Sequence, residues 1–318
     1  MTHVISVIIV TYNSAEVLPA CLEALALSDC ASDMELIFID NASTDSTWAR
    51  VQSYVPDETQ ETETPTAIAP FARIVAEQLP ANRGYAFANN RGLAHATGDC
   101  LLLLNPDTEV GRETISACAS RLQQASSKIR EIGESSEIGV VGCQLLLPDG
   151  RLDRACRRSF PTLWNSFARL SGLSLLFARS PFFAGYNLTY LPNDANYAVD
   201  CVSGAFLMVS RSVHECVGGL DEDYFMYGED IDWCYRIRAA GYRVWYEGSA
   251  VTVHHKGGNG GKRSAHSLYH FYNTMLIYYR KHHAARYPTW LTALLSLALK
   301  CLYACHLTVA RIRGRFKP

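Results

Sequence analysis

Asp107 follows four consecutive leucines, Leu101 to Leu104, in the run Thr97-Gly-Asp-Cys-Leu-Leu-Leu-Leu-Asn-Pro-Asp-Thr108. A short apolar run bounded by turn residues predicts a strand buried on both faces, and Pro106 ends its ladder pairing. A carboxylate at the C-terminal end of such a strand stands where open α/β sheets bind ligands. Asp107 is there either a turn residue or a hard oxygen ligand, suited to Mg²⁺ or Mn²⁺ shared with a phosphorylated substrate. Asp40 closes the strand Leu36-Ile-Phe-Ile39 at the same sheet edge, where a carboxylate can bond a base or ribose. Glu229, Asp230 and Asp232 open a helical pattern after the aromatic turn Tyr224-Phe-Met-Tyr-Gly228. Acids there answer the helix macrodipole, but three exceed what capping needs, so one is a candidate general base. His254 ends the late strand Ala250-Val-Thr-Val253, with His255 beside it, and a histidine so placed is either structural or a metal ligand.

Such groups need a sheet to position them. Val4 to Val10 reads as a buried strand, and Ser14 can cap a helix whose apolar positions Val17, Leu18, Cys21, Leu22 and Leu25 recur at helical spacing. The strand ending at Asp40 comes next, then Ser43 and Asp45 as caps of a second helix. This alternation predicts βαβ units in an α/β fold, a mostly parallel sheet flanked by helices. Residues 56 to 70 are acidic and threonine-rich and predict an exposed loop without chemistry. The run Asn82 to Gly92 is rich in amides and small residues, which let backbone approach a ligand while Asn and Arg donate to phosphate or base. Residues 150 to 198 read as a large connection over the sheet, where acceptor specificity could live. Asp200 to Val209 predicts another strand, its Ser203-Gly204-Ala205 segment admitting a substrate. Val244 to Tyr246 and Ala250 to Val253 read as two late strands. The glycines from Gly257 to Gly261, tipped by Lys262 and Arg263, fit no P-loop register and predict a flap able to close over a diphosphate.

The 318 residues allow one large or two modest domains. A net charge of −2 supplies no global field for nucleic acid. The eleven cysteines are odd in number and contain no C-x-x-C pair, which predicts reduced thiols in a cytosolic compartment. The N-terminus lacks a basic region and cleavage site, and no signal peptide is expected.

Near the C-terminus, Ser267 to Tyr279 predicts an aromatic helix. Trp290 to Ala310 is apolar and long enough to span a bilayer, but Lys300 at its centre is costly for a lone spanning helix. Thr292, Ser296, Lys300, Tyr303 and His306 recur every three or four residues as one polar stripe. The stripe favours a helix lying in the membrane interface, anchored by Trp290 and by Arg311, Arg313, Arg315 and Lys317. The alternative is a helix packed on the catalytic domain or on a second copy in a homodimer.

Six motifs, in order over most of the chain, carry a resemblance: Val7-Ile-Ile-Val-Thr-Tyr-Asn13, Ile39-Asp-Asn-Ala-Ser-Thr-Asp45, Asn82-Arg-Gly-Tyr-Ala-Phe-Ala-Asn-Asn90, Leu104-Asn-Pro-Asp107, Phe225-Met-Tyr-Gly-Glu-Asp-Ile-Asp-Trp233 and Val253-His-His-Lys-Gly-Gly258. Together the sequence resembles the family 2 inverting glycosyltransferases of the GT-A fold, particularly rhamnosyltransferase-like members that build bacterial surface polysaccharides. The resemblance implies that Thr11, Asn13, Asp40 and Asn82 contact the nucleotide, with Tyr12, Gly84, Asn90 and Asn105 in the same nucleotide-sugar set. It makes Asn105-Pro-Asp107 a degenerate Asp-x-Asp motif, with Asp107 as the charged metal ligand and His254 as another, His255 competing. It maps the base onto Asp230, with Asp232 as alternative, and sets Gly204, Ala205, Glu229 and Trp233 on the acceptor side. It divides the chain into a GT-A catalytic domain at 1–265, with a nucleotide-sugar half at 1–108 and an acceptor half at 109–265, and C-terminal helices at 266–318. No Q-x-x-R-W motif is present, which argues against a processive synthase.

The implied reaction is metal-assisted, inverting transfer of a sugar, with a rhamnose-type donor, from a nucleotide sugar to a glycan or polyprenyl-linked acceptor. The implied place is the cytoplasmic face of the inner membrane. Two other classes fit Asp40 and Asp107 alone: a metal-dependent nucleotidyltransferase, which would release pyrophosphate, and a catalytically silent membrane partner that keeps the fold.

Overall fold

A computed structural model of the chain describes residues 4–55, 70–132, 137–256 and 264–312, with backbone alone at 124–132. The acidic loop (residue 70 apart), the glycine-rich flap from Gly257 to Arg263 and the terminal Arg313, Arg315 and Lys317 lie outside the described residues.

The strands are β1 (Ile5–Thr11), β2 (Met34–Asp40), β3 (Arg73–Gln78), β4 (Cys100–Leu104), β5 (Thr108–Val110), β6 (Ile138–Leu146), β7 (Arg157–Arg158), β8 (Tyr197–Val199), β9 (Cys201–Val202), β10 (Phe206–Ser210) and β11 (Arg243–His254). The main sheet runs β3-β2-β1-β4-β10-β6-β11-β5, with β8 on β11, while β7 and β9 form a separate pair. The half containing β3, β2, β1 and β4 is parallel, as the βαβ pattern requires. Beyond it the sheet is mixed, because β10 enters antiparallel between β4 and β6. Every residue of β1, β2 and β4 is buried, so these strands form the centre of the core. The two late strands are one continuous strand, β11, with a register shift between Glu247 and Val251. The expected 200–209 strand is divided, β9 and β10 flanking the turn at Ser203–Ala205.

The helices are α1 (Leu18–Ala26), α2 (Thr47–Gln52), α3 (Tyr85–His95), α4 (Thr114–Ile132), α5 (Leu163–Leu170), α6 (Leu173–Leu176), α7 (Pro181–Ala184), α8 (Arg211–Val217), α9 (Glu229–Ala239), α10 (Ala265–His282) and α11 (Thr289–Ile312). Ser14 does not cap α1: its hydroxyl bonds the backbone of Tyr12, and the helix begins at Leu18 with Pro19 in the first turn. Asp45 accepts from the Thr47 amide at the start of α2, whereas Ser43 turns to Asp40.

Helix α10 is tied into the core by Tyr278, and α11 folds back along α10. Leu299 is the buried centre of that contact, and His306 Nδ1 lies 2.5 Å from the Tyr272 hydroxyl. Part of the polar stripe turns away from solvent: Tyr303 and His306 face α10, whereas Lys300 stays exposed and Ser296 bonds the Thr292 carbonyl of its own helix, and Trp290, Leu294, Leu297 and Ile312 stand exposed on the outer side. The Tyr272 hydroxyl on α10 holds His306 on the inner side, and much of the apolar surface of α11 is left uncovered. Over its 24 residues α11 is long and apolar enough to cross a membrane, and little of it is buried.

Candidate active site

A cavity of about 1400 Å³ runs from the C-terminal ends of β1 and β4 to the α10–α11 hairpin. Single-ligand pockets hold roughly 300–1,000 Å³, so this one has room for two reactants. Tyr12, Asn13, Asn82, Gly84, Asn105 and Asp107 line its sheet end.

The walls of that end are loops cross-linked by short polar side chains. Asn13, at φ 51°, accepts from the Thr44 amide at 2.8 Å and so joins the loop after β1 to the loop after β2. Asn41, which motif reading left without a role, donates to Asn82 Oδ1 at 3.0 Å and to the Gly84 carbonyl at 3.1 Å. Gly84 has φ 90° and a backbone packed against Phe225, a position no Cβ could share. Thr11 and Asp40, expected to contact the nucleotide, are fully buried and do not line the cavity. Asp40 accepts from Thr11, Ser43 and Gln78, so its carboxylate holds the loop rather than facing a ligand. Asn90 likewise points away: it bonds the Leu220 backbone and Glu222, fixing α3 to the loop before α9.

Antiparallel pairing of β5 with the end of β11 sets His254 opposite Thr108 and thereby beside Asp107. His254 Nε2 lies 3.3 Å from Asp107 Oδ1, and its Nδ1 lies 3.0 Å from Asp153 Oδ2. Burial pulls the imidazole down, but hydrogen bonds to the two carboxylates outweigh it and hold the pKa up at about 9. Asp153 is buried too, and His254 and Lys256 together hold it well below the usual carboxylate range despite that burial. Lys256 Nζ reaches Asp153 Oδ1 at 2.5 Å. His255, the competing ligand, turns instead to Glu109 at 2.6 Å. Among the described residues no group of three or more His, Cys, Asp or Glu side chains is arranged to hold a metal. The pair on the cavity wall, one hard carboxylate oxygen and one imidazole nitrogen, still fits Mg²⁺ or Mn²⁺, which keep waters and take substrate phosphates as further ligands.

Helix α9 brings the acids. Gly228, in the left-handed region, starts it at the cavity wall, so Glu229 and Asp230 face the cavity. Asp230 Oδ2 accepts from Arg158 Nη2 at 2.6 Å and from the Gly204 amide at 3.0 Å. Gly204 and Ala205 line the cavity at this point, and the Tyr85 hydroxyl holds the Gly204 carbonyl at 2.8 Å. Burial and the charge on Asp230 push Glu229 up to about 8, and its Oε2 has no hydrogen-bond partner. Asp232 does not line the cavity, which removes it as a base in this arrangement. It is completely buried against Arg236 (2.8 Å), Lys281 (2.8 Å) and His282 (2.7 Å), and despite burial these hydrogen bonds lower it to about 2. Trp233, expected on the acceptor side, is fully buried with its indole N–H on the Gly218 carbonyl. Asp153 and Arg158 are the site residues that motif reading missed; both lie in the 150–198 connection, where the run of arginines at 151, 154, 157 and 158 was the one signal.

The helix-flanked mixed sheet thus presents a carboxylate–histidine pair at its strand ends, facing a helix that presents a second carboxylate. The model of the glycosyl transferase family 2 matches residues 6–129. The N-acetylglucosaminyl-diphospho-decaprenol L-rhamnosyltransferase of Mycobacterium tuberculosis is 30% identical, covering 99% of this chain and 97% of that protein. Among solved structures, mannosyltransferase PcManGT from Pyrobaculum calidifontis, in complex with GDP-Man and Mn²⁺, gives a TM-score of 0.55 at 20% identity, over 97% of this chain and 75% of that one. S. aureus TarS 1-349 gives 0.54 at 17% identity, over 86% of this chain and 64% of that one. These two likenesses show the fold. The chain belongs to family 2 of the glycosyltransferases and is rhamnosyltransferase-like.

Proposed function

We propose that this glycosyltransferase moves a rhamnose-type sugar, with inversion, from a nucleoside-diphosphate donor to a hydroxyl of a lipid-diphosphate-linked sugar. The observation that carries the reading is the convergence of Asp107, His254 and Asp230 on one cavity large enough for donor and acceptor. The full-length similarity to an enzyme named for rhamnosyl transfer to N-acetylglucosaminyl-diphospho-decaprenol supports the choice of both substrates.

The loops joined by Asn13, Asn41 and Asn82 shape the nucleotide end of the cavity. Asp107 and His254 are the residues that would hold Mg²⁺ or Mn²⁺, which when bound neutralises charge on the departing diphosphate. Asp230 accepts the proton of the acceptor hydroxyl while that oxygen forms its bond to the anomeric carbon. The bond from that carbon to the diphosphate oxygen breaks, and its electron pair leaves with the nucleoside diphosphate. Attack opposite the leaving group inverts the centre. Arg158 and the Gly204 amide hold the Asp230 carboxylate in place, aimed into the cavity.

The division into a catalytic part at 1–265 and C-terminal helices at 266–318 belongs to the same reading, as does attachment at the cytoplasmic membrane surface through the exposed apolar side of α11. Incubation of the full chain with dTDP-rhamnose, Mn²⁺ and a polyprenyl-diphosphate-linked N-acetylglucosamine tests the reaction. The reading expects a rhamnosylated lipid and free dTDP; pyrophosphate release without glycan product contradicts it.

A further inference from the structure

The cavity does not end at the carboxylates. Past Asp230 it continues between α5 and the C-terminal hairpin, where Phe167, Leu170, Phe271, Met275, Leu299 and Leu302 line it. Phe167 and Leu170 remain exposed although they sit in a groove, and Leu302 carries the apolar surface onward to the uncovered side of α11. The acids along the cavity are confined to its transfer end, where Arg158, His254 and Lys256 stand among them. Its carboxylates all belong to the nucleotide end and to the Glu229–Asp230 pair, whereas α5 and the hairpin region contribute Arg169, His283 and Arg286 and no acid. His283 Nε2 is buried there without a hydrogen-bond partner. Two arginines, Arg169 and Arg286, between a sugar-transfer site and an apolar groove that opens on an apolar helix match an amphiphile whose order is sugar, diphosphate, hydrocarbon.

Resting on the transfer reaction proposed above, we infer that the groove between α5 and the α10–α11 hairpin binds the diphosphate and first isoprene units of a polyprenyl-diphosphate sugar acceptor, with Arg169 and Arg286 on the diphosphate. The acceptor sugar then lies at Asp230, and the chain leaves over Leu302 along α11 toward the bilayer. The groove is therefore a specificity element: it selects lipid-linked over soluble acceptors by chain burial and by charge.

The test compares three synthetic acceptors on the full chain with dTDP-rhamnose: N-acetylglucosamine diphosphate bearing a decaprenyl chain, the same diphosphate bearing a butyl chain, and a butyl glycoside without diphosphate. The wild type should show a KM for the decaprenyl acceptor at least about tenfold below that for the butyl diphosphate, the scale set by taking roughly two methylene groups out of water. Ala298→Phe, which fills the groove from an exposed helix position, should bring that ratio toward one. Arg286→Gln should raise KM for both diphosphates and not for the butyl glycoside. Donor-dependent thermal stabilisation reports that each variant is folded. Equal KM values for decaprenyl and butyl diphosphates in the wild type, or a ratio untouched by Ala298→Phe, would overturn the groove while leaving the transfer reaction standing. A dimer that Ala298→Phe dissociates without changing the KM ratio would assign the groove to a second copy and overturn it as well. Absence of transfer to any acceptor would reject the transfer reading, and the groove assignment with it.

Discussion

The imidazole of His254 sits 3.3 Å from the carboxylate of Asp107 because β5 pairs with the last residues of β11, placing Thr108 and His254 in register. On its far side the same ring meets Asp153, which Lys256 in turn grips. A carboxylate behind a metal-binding histidine fixes its tautomer and orientation and raises its basicity.

Asp153→Asn should therefore weaken divalent-metal binding by about 10- to 100-fold, the usual effect of removing such a partner. Mn²⁺ titration followed by intrinsic fluorescence, with no substrate present, checks this. Unchanged Mn²⁺ affinity would show that Asp153 only stabilises the fold.

Asp232 governs acid stability instead of chemistry. Its folded pKa, about 2, lies below the ordinary aspartate value, so the contribution is complete above about pH 4 and disappears as pH falls through about 2. The difference corresponds to about 2 kcal/mol. Urea unfolding of Asp232→Asn at neutral pH should show at least that loss, because Arg236, Lys281 and His282 lose their buried counter-charge. Between pH 4 and 2 the gap to wild type should close.

Exposed apolar residues on α11 should direct the protein to lipid. Flotation with anionic vesicles should recover the wild type at the lipid layer, and Leu294→Glu with Leu297→Glu should release most of it while circular dichroism stays the same. Equal recovery of both proteins would remove this face from membrane contact.

Much of the site was legible in the sequence because its residues sit where strands stop. The leucine run before Asp107, the strand before Asp40 and the one before His254 all announced themselves by composition, and all three ends lie at one edge of the sheet. Choosing between Asp230 and Asp232 was also within reach of helix geometry: two residues apart means about 200° of rotation, so one cavity can meet only one of them. Asp153 and Arg158 were not legible, since they lie in an irregular connection and reach the site only through pairing of distant strands and through the β7–β9 ribbon. Asp40 misled because a strand-end carboxylate can serve the loop or the ligand, and three neighbouring donors turned it to the loop. Periodicity revealed the stripe on α11 but not that its last members, Tyr303 and His306, turn to α10, where Tyr272 meets His306.

In the proposed transfer Asp230 takes the acceptor proton. Asp230→Asn keeps the size and the contact with Gly204 while removing the charge, so the most direct measurement sets donor binding beside transfer in that one variant. Binding of dTDP-rhamnose should stay within about threefold of wild type, with transfer reduced by about 10²- to 10⁴-fold, the usual contribution of general-base catalysis. Transfer at the wild-type rate with intact donor binding would contradict that role for Asp230.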